Sequence, residues 1–204
     1  MGKNTINRIL YITLILAVVG VFILKLFHIN ILAKEGLIKI PSLLSVIVLF
    51  WGFYFSMGWK LPILKYLVYK ENLNGTWLGY YSSKNFTSND VFQGEIAVVI
   101  RQSFLSLNVK SFTDKYINYS FGEVLKYDSK SDTHQLIYLY SQSQFNPTDD
   151  NIRKGTSELK LYCNIKSKEL FGDFWTNHNS KGDLKLTKIT KKYSKSFLEA
   201  KKIK

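Results

Sequence analysis

The chain has 204 residues, of which 46% are hydrophobic, 15% aromatic and 21% charged, which excludes an intrinsically disordered protein and supplies one substantial core. Its formal charge of +13 comes from 28 Lys and Arg against 15 Asp and Glu, but the excess lies on the flanks: +7 over residues 1–70, −1 over 71–184 and +7 over 185–204. A domain that tracks DNA or RNA carries its cations on the folded face that displaces counterions, so the neutral centre argues against polymeric nucleic acid as a partner.

The first predicted element is a membrane span from Ile9 to Phe27, nineteen residues with Lys25 as the one charge, placed near the end where it can snorkel. At ~1.5 Å per residue such a helix is about 28 Å long, close to the ~30 Å hydrocarbon core. Its apolar core exceeds that of a signal peptide and no small-x-small cleavage site follows Ala17, which favours a retained helix. A second uncharged run, Ser42 to Trp59, has Pro41 at its start and an interfacial Trp59-Lys60 at its end. The loop between them, roughly residues 28–40, is short, so the two spans form an antiparallel transmembrane hairpin with both chain ends on one side. Lys3, Arg8, Lys60, Lys65 and Lys70 on that side outweigh Lys25, Lys34 and Lys39 less Glu35, and the positive-inside bias makes that side cytoplasmic. Within the second span Gly52 and Ser56 form a small-xxx-small pair through which helices can approach.

Beyond Lys70 the pattern changes to short segments of period two separated by Gly, Asn, Asp and Ser clusters. Eight strands are predicted: Thr76–Ser82, Phe92–Gln102, Leu105–Phe112, Ile117–Leu125, Gln135–Gln142, Thr156–Tyr162, Leu170–Trp175 and Asp183–Ile189. Their connections are too short for crossover helices, so the sheet is antiparallel. Closing eight sequential strands into a barrel removes exposed edges and leaves room for one small ligand; a two-sheet sandwich is the alternative. The chain thus divides into a transmembrane region (1–70), a β-barrel (71–190) and a basic tail (191–204) in which a short helix or an unfolded segment follows the last strand.

Other chemistry has little foothold. Cys163 is the lone cysteine, which fits a reducing compartment and allows neither an intrachain disulfide nor a Cys-based zinc site. His28, His134 and His178 are far apart in sequence, so no metal site and no cofactor are expected. Asp149-Asp150 are adjacent carboxylates that point apart, with no partner base, and no Gly-x-Ser-x-Gly elbow occurs. No enzyme activity is expected.

Asn74-Gly75-Thr76-Trp77-Leu78-Gly79 resembles the Gly-x-Trp opening of lipocalin and avidin barrels, where the Trp plugs one end. Two N-terminal spans followed directly by an eight-stranded domain opening in this way resemble the CD-NTase-associated protein 15 family, the two-transmembrane effectors of bacterial cyclic-oligonucleotide antiphage (CBASS) systems. That resemblance implies a nucleotidyltransferase that makes a cyclic dinucleotide, a barrel that binds it, and homo-oligomers that assemble in the inner membrane and disrupt the lipid bilayer. Such a ligand needs aromatic plates for its bases and cations for its phosphates. Arg is the side chain suited to bidentate phosphate binding, and the β-region holds two, Arg101 and Arg153. Strand parity sets Arg101 opposite Phe92, Ile96, Val98 and Ile100, which fits an exterior ion pair, whereas Arg153 precedes a Lys154-Gly155 turn element suited to a mouth. Candidate stacking residues are Tyr81, Tyr138, Tyr140 and Trp175. Two other classes compete: a membrane-tethered lipocalin-like carrier of an apolar metabolite or lipid, which needs an all-apolar lumen, and a scaffold whose lumen is filled.

Overall fold

A computed structural model describes residues 3–26, 34–144, 153–165 and 167–203. It divides into one unit of Met1–Asn72 with Ser103–Leu105, and a second of Leu73–Gln102 with Ser106–Lys204.

The first unit is built on α1 (Lys3–Leu26) and α2 (Lys34–Ser56), followed by 3-10 turns at Gly58–Lys60 and Leu64–Tyr66. Within α1, Thr5–Ile23 is long and apolar enough to cross a membrane; the apolar part of α2, Leu43–Ser56, is shorter. α2 begins at Lys34, where the sequence reading placed a loop, and runs on through Pro41, which forgoes one main-chain hydrogen bond. Residues 28–33 of the predicted loop, with His28, lie outside the described residues, as does Phe27 at the end of the predicted first span. The two helices run antiparallel: Trp51 Nε1 donates to Thr13 Oγ1 at 3.0 Å, and Gly20 lies beneath the Leu43 side chain. Trp51, Tyr54, Phe55 and Phe104 interlock edge-on and stacked with centroids 5.0–5.5 Å apart. Trp59 is only 2% exposed and joins this cluster, so it packs as a core residue where an interfacial one was expected.

The second unit is a closed barrel in which eight antiparallel strands pair in sequence order and the last returns to the first. The strands are β1 (Gly75–Asn85), β2 (Val91–Gln102), β3 (Leu107–Phe112), β4 (Tyr116–Asp128), β5 (Thr133–Gln144), β6 (Arg153–Cys163), β7 (Lys168–Thr176) and β8 (Ser180–Thr190). All eight predicted strands are present, and most extend beyond the predicted ends. The β8–β1 ladder from Thr76–Thr190 to Asn85–Ser180 closes the cylinder and excludes the sandwich. Alternation is strict where the sequence is apolar: Val98, Ile100, Val109, Leu136, Leu159, Leu170 and Leu186 point inward and are almost wholly buried. In β4 the register slips between Ser120 and Gly122, leaving Phe121 unpaired. This bulge transfers the inward positions from Asn118 and Ser120 to Glu123 and Leu125.

The Gly-x-Trp opening closes one end. Trp77 is fully buried in the lumen and donates Nε1–H to the Leu73 carbonyl at 3.0 Å. Gly75 has φ of +126°, and a Cβ there would sit 2.1 Å from the Thr190 carbonyl oxygen, so only glycine lets β8 pass. Asn74 fastens the same end, accepting from the Gln102 amide and donating to the Gln102 carbonyl. The basic tail forms α3 (Phe197–Lys202), whose Ser196 caps it by accepting from the Glu199 amide. Phe197 and Ala200 cover Leu78, Ala97, Val99 and Phe112 on the outer wall, and Lys201 pairs with Glu95.

Candidate functional site: the open half of the barrel

The lumen has two halves. From Trp77 to Leu186 it is packed with aliphatic side chains; at the other end, under the β1–β2, β3–β4 and β7–β8 turns, it opens into a hollow of about 610 Å³. That volume lies within the ~300–1,000 Å³ of small-molecule sites. The rim is laced together by hydrogen bonds. Asn85 Oδ1 accepts from the Thr87 and Ser88 amides, Phe86 N–H donates to the Asn179 carbonyl, and Lys154 N–H donates to Asn177 Oδ1. Asn89 and Asn179 take the positive φ these tight turns require (58° and 54°).

Three aromatic rings in the hollow sit against glycines of the neighbouring strand. Tyr81 pairs with Gly94, Tyr140 with Gly155 and Phe174 with Gly182. A Cβ on those glycines would come within 2.9, 2.5 and 2.8 Å of the respective rings. Glycine is weak in a strand, and here its missing side chain is the space the rings occupy, so they press against the wall and leave the middle empty. Tyr138 and Tyr140 sit with centroids 5.9 Å apart, tilted by 46°. Burial pushes the Tyr138 phenol up to about 12, with the nearby Ser157 hydroxyl opposing in part although the two do not reach hydrogen-bonding geometry. Burial raises Tyr140 too, aided by Tyr138, and Tyr81 is raised by burial and then by the charges of Tyr116 and Asp114. All three phenols are therefore neutral at physiological pH and can donate hydrogen bonds.

The wall between the rings is polar. Ser111, Asn118, Gln142 and Arg153 border the hollow, as do Tyr116, Thr176 and Ser180. Arg153 sets its guanidinium over the Tyr116 ring at 5.9 Å. Asp90 is the one carboxylate among the described lining residues, and it belongs to the β1–β2 turn; the Arg153 cation beside hydrogen-bonding groups and aromatic faces suits a ligand that is anionic and aromatic together. The lining is not the all-apolar one that an apolar carrier needs, and the hollow contradicts a filled scaffold.

Of the residues singled out from the sequence, Tyr81, Tyr138, Tyr140 and Arg153 line this one hollow. Arg101 lies on the outer wall near the closed end, its guanidinium 5.1 Å from the Tyr193 ring. Trp175 is also on the outside, 44% exposed; it follows the inward-facing Phe174, and the parity that places Arg101 outside does the same to Trp175. Asp149 and Asp150 lie outside the described residues. The sequence reading missed Tyr116, Asn118, Gln142, Ser157 and the three glycines. Gln142 and Ser157 were within reach, since they share parity with Tyr140 and Leu159. Asn118 was hidden, because in β4 the apolar residues Ile117, Tyr119 and Phe121 face outward and the period reads inverted.

A family model described as Cap15, cyclic dinucleotide receptor domain, matches residues 70–188, more than half of the chain and every residue that borders the hollow. No curated protein matches the chain.

Proposed function

Because the chain belongs to the Cap15 family, we propose that the open half of its barrel is the sensor of a bacterial antiphage effector and takes one cyclic dinucleotide. The observation that carries this reading is that the receptor-domain match falls on the strands enclosing a hollow lined by neutral phenols and Arg153. Arg153 holds a phosphate through parallel N–H donors, and the faces of Tyr81, Tyr138 and Tyr140 receive the bases. The ligand is bound and released unchanged; its source is a nucleotidyltransferase acting upstream. The N-terminal helices anchor the protein in the inner membrane, with Thr5–Ile23 of α1 as one span, the apolar part of α2 as the second, and both chain ends and the barrel in the cytoplasm. Ligand binding shifts protomers toward an assembled state, which requires that the assembled form bind ligand more tightly than the separate one, and assembly breaches the bilayer.

The test uses the full chain in detergent and in dye-loaded liposomes of bacterial polar lipids, titrated with cyclic dinucleotides of purine, pyrimidine and mixed composition. Saturable binding of at least one, with a rise in particle mass and dye release, is the expected result. Binding of none overturns the sensor reading; binding without dye release overturns the membrane-breaching part alone.

A further inference from the structure

The register of β3 to β6 carries a more specific reading, which rests on the cyclic-dinucleotide proposal. Ser111 pairs with Asn118, Asn118 with Gln142, and Gln142 with Arg153. Paired residues in a sheet share a face, so these four side chains form one line along the inner wall, and all four border the hollow. The line has a chemical order. Arg153 stands at the start of β6, at the rim; Gln142 and Asn118 follow, with amides that match base edges; Ser111 ends it on β3.

Asn118 has hydrogen-bonding capacity that the protein does not use. Its Nδ2 donates to Ser111 Oγ at 2.9 Å, while its Oδ1 is buried without a partner. Three buried side-chain polar atoms among the described residues lack a partner, and two of them, Asn118 Oδ1 and Ser157 Oγ, border the hollow. Ser157 is 1% exposed and sits one strand beyond the tyrosines of β5. Unmet buried polar atoms are costly and rare, and their concentration on opposite sides of Tyr138 and Tyr140 marks this wall as the place where a ligand's own polar groups complete the hydrogen bonding. Turning the Asn118 amide over does not remove the need, because the single Ser111 hydroxyl satisfies only one end.

We propose that Asn118 reads a base of the ligand and that the base is adenine. Its carbonyl oxygen accepts from the exocyclic amine, and its second N–H donates to the adjacent ring nitrogen, the two-bond match between a carboxamide and an adenine edge. Arg153, two positions along the same row, holds a phosphate, so one wall fixes both the base and the backbone to which it is attached. The opposite wall brings the apolar Phe174, Leu184 and Ile96 together with Ser83, Thr176 and Ser180, whose hydroxyls are not among the buried polar atoms left without a partner.

Calorimetric titration of the full chain in detergent with cyclic di-AMP, cyclic di-GMP, the mixed adenine–guanine ring and cyclic di-UMP tests this. Wild type is expected to bind the adenine-containing rings at least tenfold more tightly than cyclic di-GMP and cyclic di-UMP. Asn118→Ala is expected to erase that difference by weakening the adenine rings about tenfold. Asn118→Asp, which offers two acceptors, moves the preference toward guanine, whose adjacent N1–H and N2–H₂ are two donors. Arg153→Ala weakens all four rings by similar factors. Absence of an adenine advantage in wild type, or a rank order and affinities unchanged to within twofold in both Asn118 variants, overturns the proposal while leaving the sensor reading in place. Failure of wild type to bind any ring overturns both. Melting of each unliganded variant separates lost folding from lost recognition, and should Asn118→Ala not fold, Asn118→Asp and Asn118→Ser decide the matter by rank order.

Discussion

Single residues set the shape of the hollow through what they lack. Gly155 has the shortest contact with a ring among the three ring seats, because a methyl group there would meet the Tyr140 ring at 2.5 Å and the Trp175 carbonyl oxygen at 2.8 Å. One neighbour is a ring that can swing only into the hollow and the other is main chain, so neither yields cheaply. Gly155→Ala is expected to cost about 1–3 kcal/mol, the usual range for an overpacked site, and to weaken ligand binding by driving Tyr140 into the free volume; urea denaturation and ligand titration on the same sample check both. Tyr138 makes a second prediction at this scale. Its phenol is neutral and buried in the fold and ionises near 10 in the unfolded chain, so the unfolded state sheds its proton first as pH rises. The stability Tyr138 confers is present in full below pH 10 and is lost between pH 10 and about 12. Denaturation at pH 8 and pH 11 should show an alkaline loss that is smaller in Tyr138→Phe, by about 1 kcal/mol at pH 11; an equal loss in both proteins would show that Tyr138 does not contribute.

At the scale of elements, the inner and outer faces of each strand have separate tasks. Helix α3 shows this most simply, since it lies wholly outside: Phe197 is 6% exposed against Leu78, Ala97, Val99 and Phe112. Phe197→Ala is expected to destabilise the barrel by about 3 kcal/mol, as truncating a buried Phe does, while the affinity for ligand in the folded protein is unchanged; a melting curve and a titration distinguish the two effects, and an affinity loss beyond twofold would show that outer-wall packing shapes the hollow. The same separation explains what was legible in the sequence. Strands such as β2 and β5 were plain because Val98 and Ile100, or Leu136 and Tyr138, alternate with residues of the outer face. Arg101 could be placed outside on that ground, and Trp175 could have been. β4 was opaque in its orientation: its lumenal side is polar where ligand space lies, Phe121 is 59% exposed outside, and the bulge reverses parity midway, so no single period describes the strand. The glycines opposite Tyr81, Tyr140 and Phe174 were equally hidden, because a glycine's use as a ring seat depends on a cross-strand partner that only the register reveals.

For the whole molecule, the two ends of the barrel divide stability from recognition. The closed end is built from Trp77, the Asn74–Gln102 hydrogen bonds and the glycine at 75, all satisfied within the protein. The open end keeps a hollow and leaves Asn118 and Ser157 with unmet polar atoms. The two arginines of the barrel fall one at each end, which turns the division into a measurement. Arg153 borders the hollow beside Tyr116, and Arg101 stacks on Tyr193 outside. Losing a charged hydrogen-bonding partner at a phosphate costs about 1.5–3 kcal/mol, a tenfold to hundredfold drop in affinity. Arg153→Ala is therefore expected to bind cyclic dinucleotides ten to a hundred times more weakly with little change in melting temperature. Arg101→Ala removes only an exposed cation–aromatic contact worth about 0.5–1 kcal/mol, so it is expected to leave affinity within twofold. Dye release from liposomes should follow the same order: Arg153→Ala requires proportionately more ligand for half-maximal leakage and Arg101→Ala does not. Equal losses of binding in the two variants would mean that charge anywhere on the barrel, and not a guanidinium in the open half, attracts the ligand; raising the salt concentration would then abolish the effect of both, because exposed charges more than a Debye length from the ligand are screened.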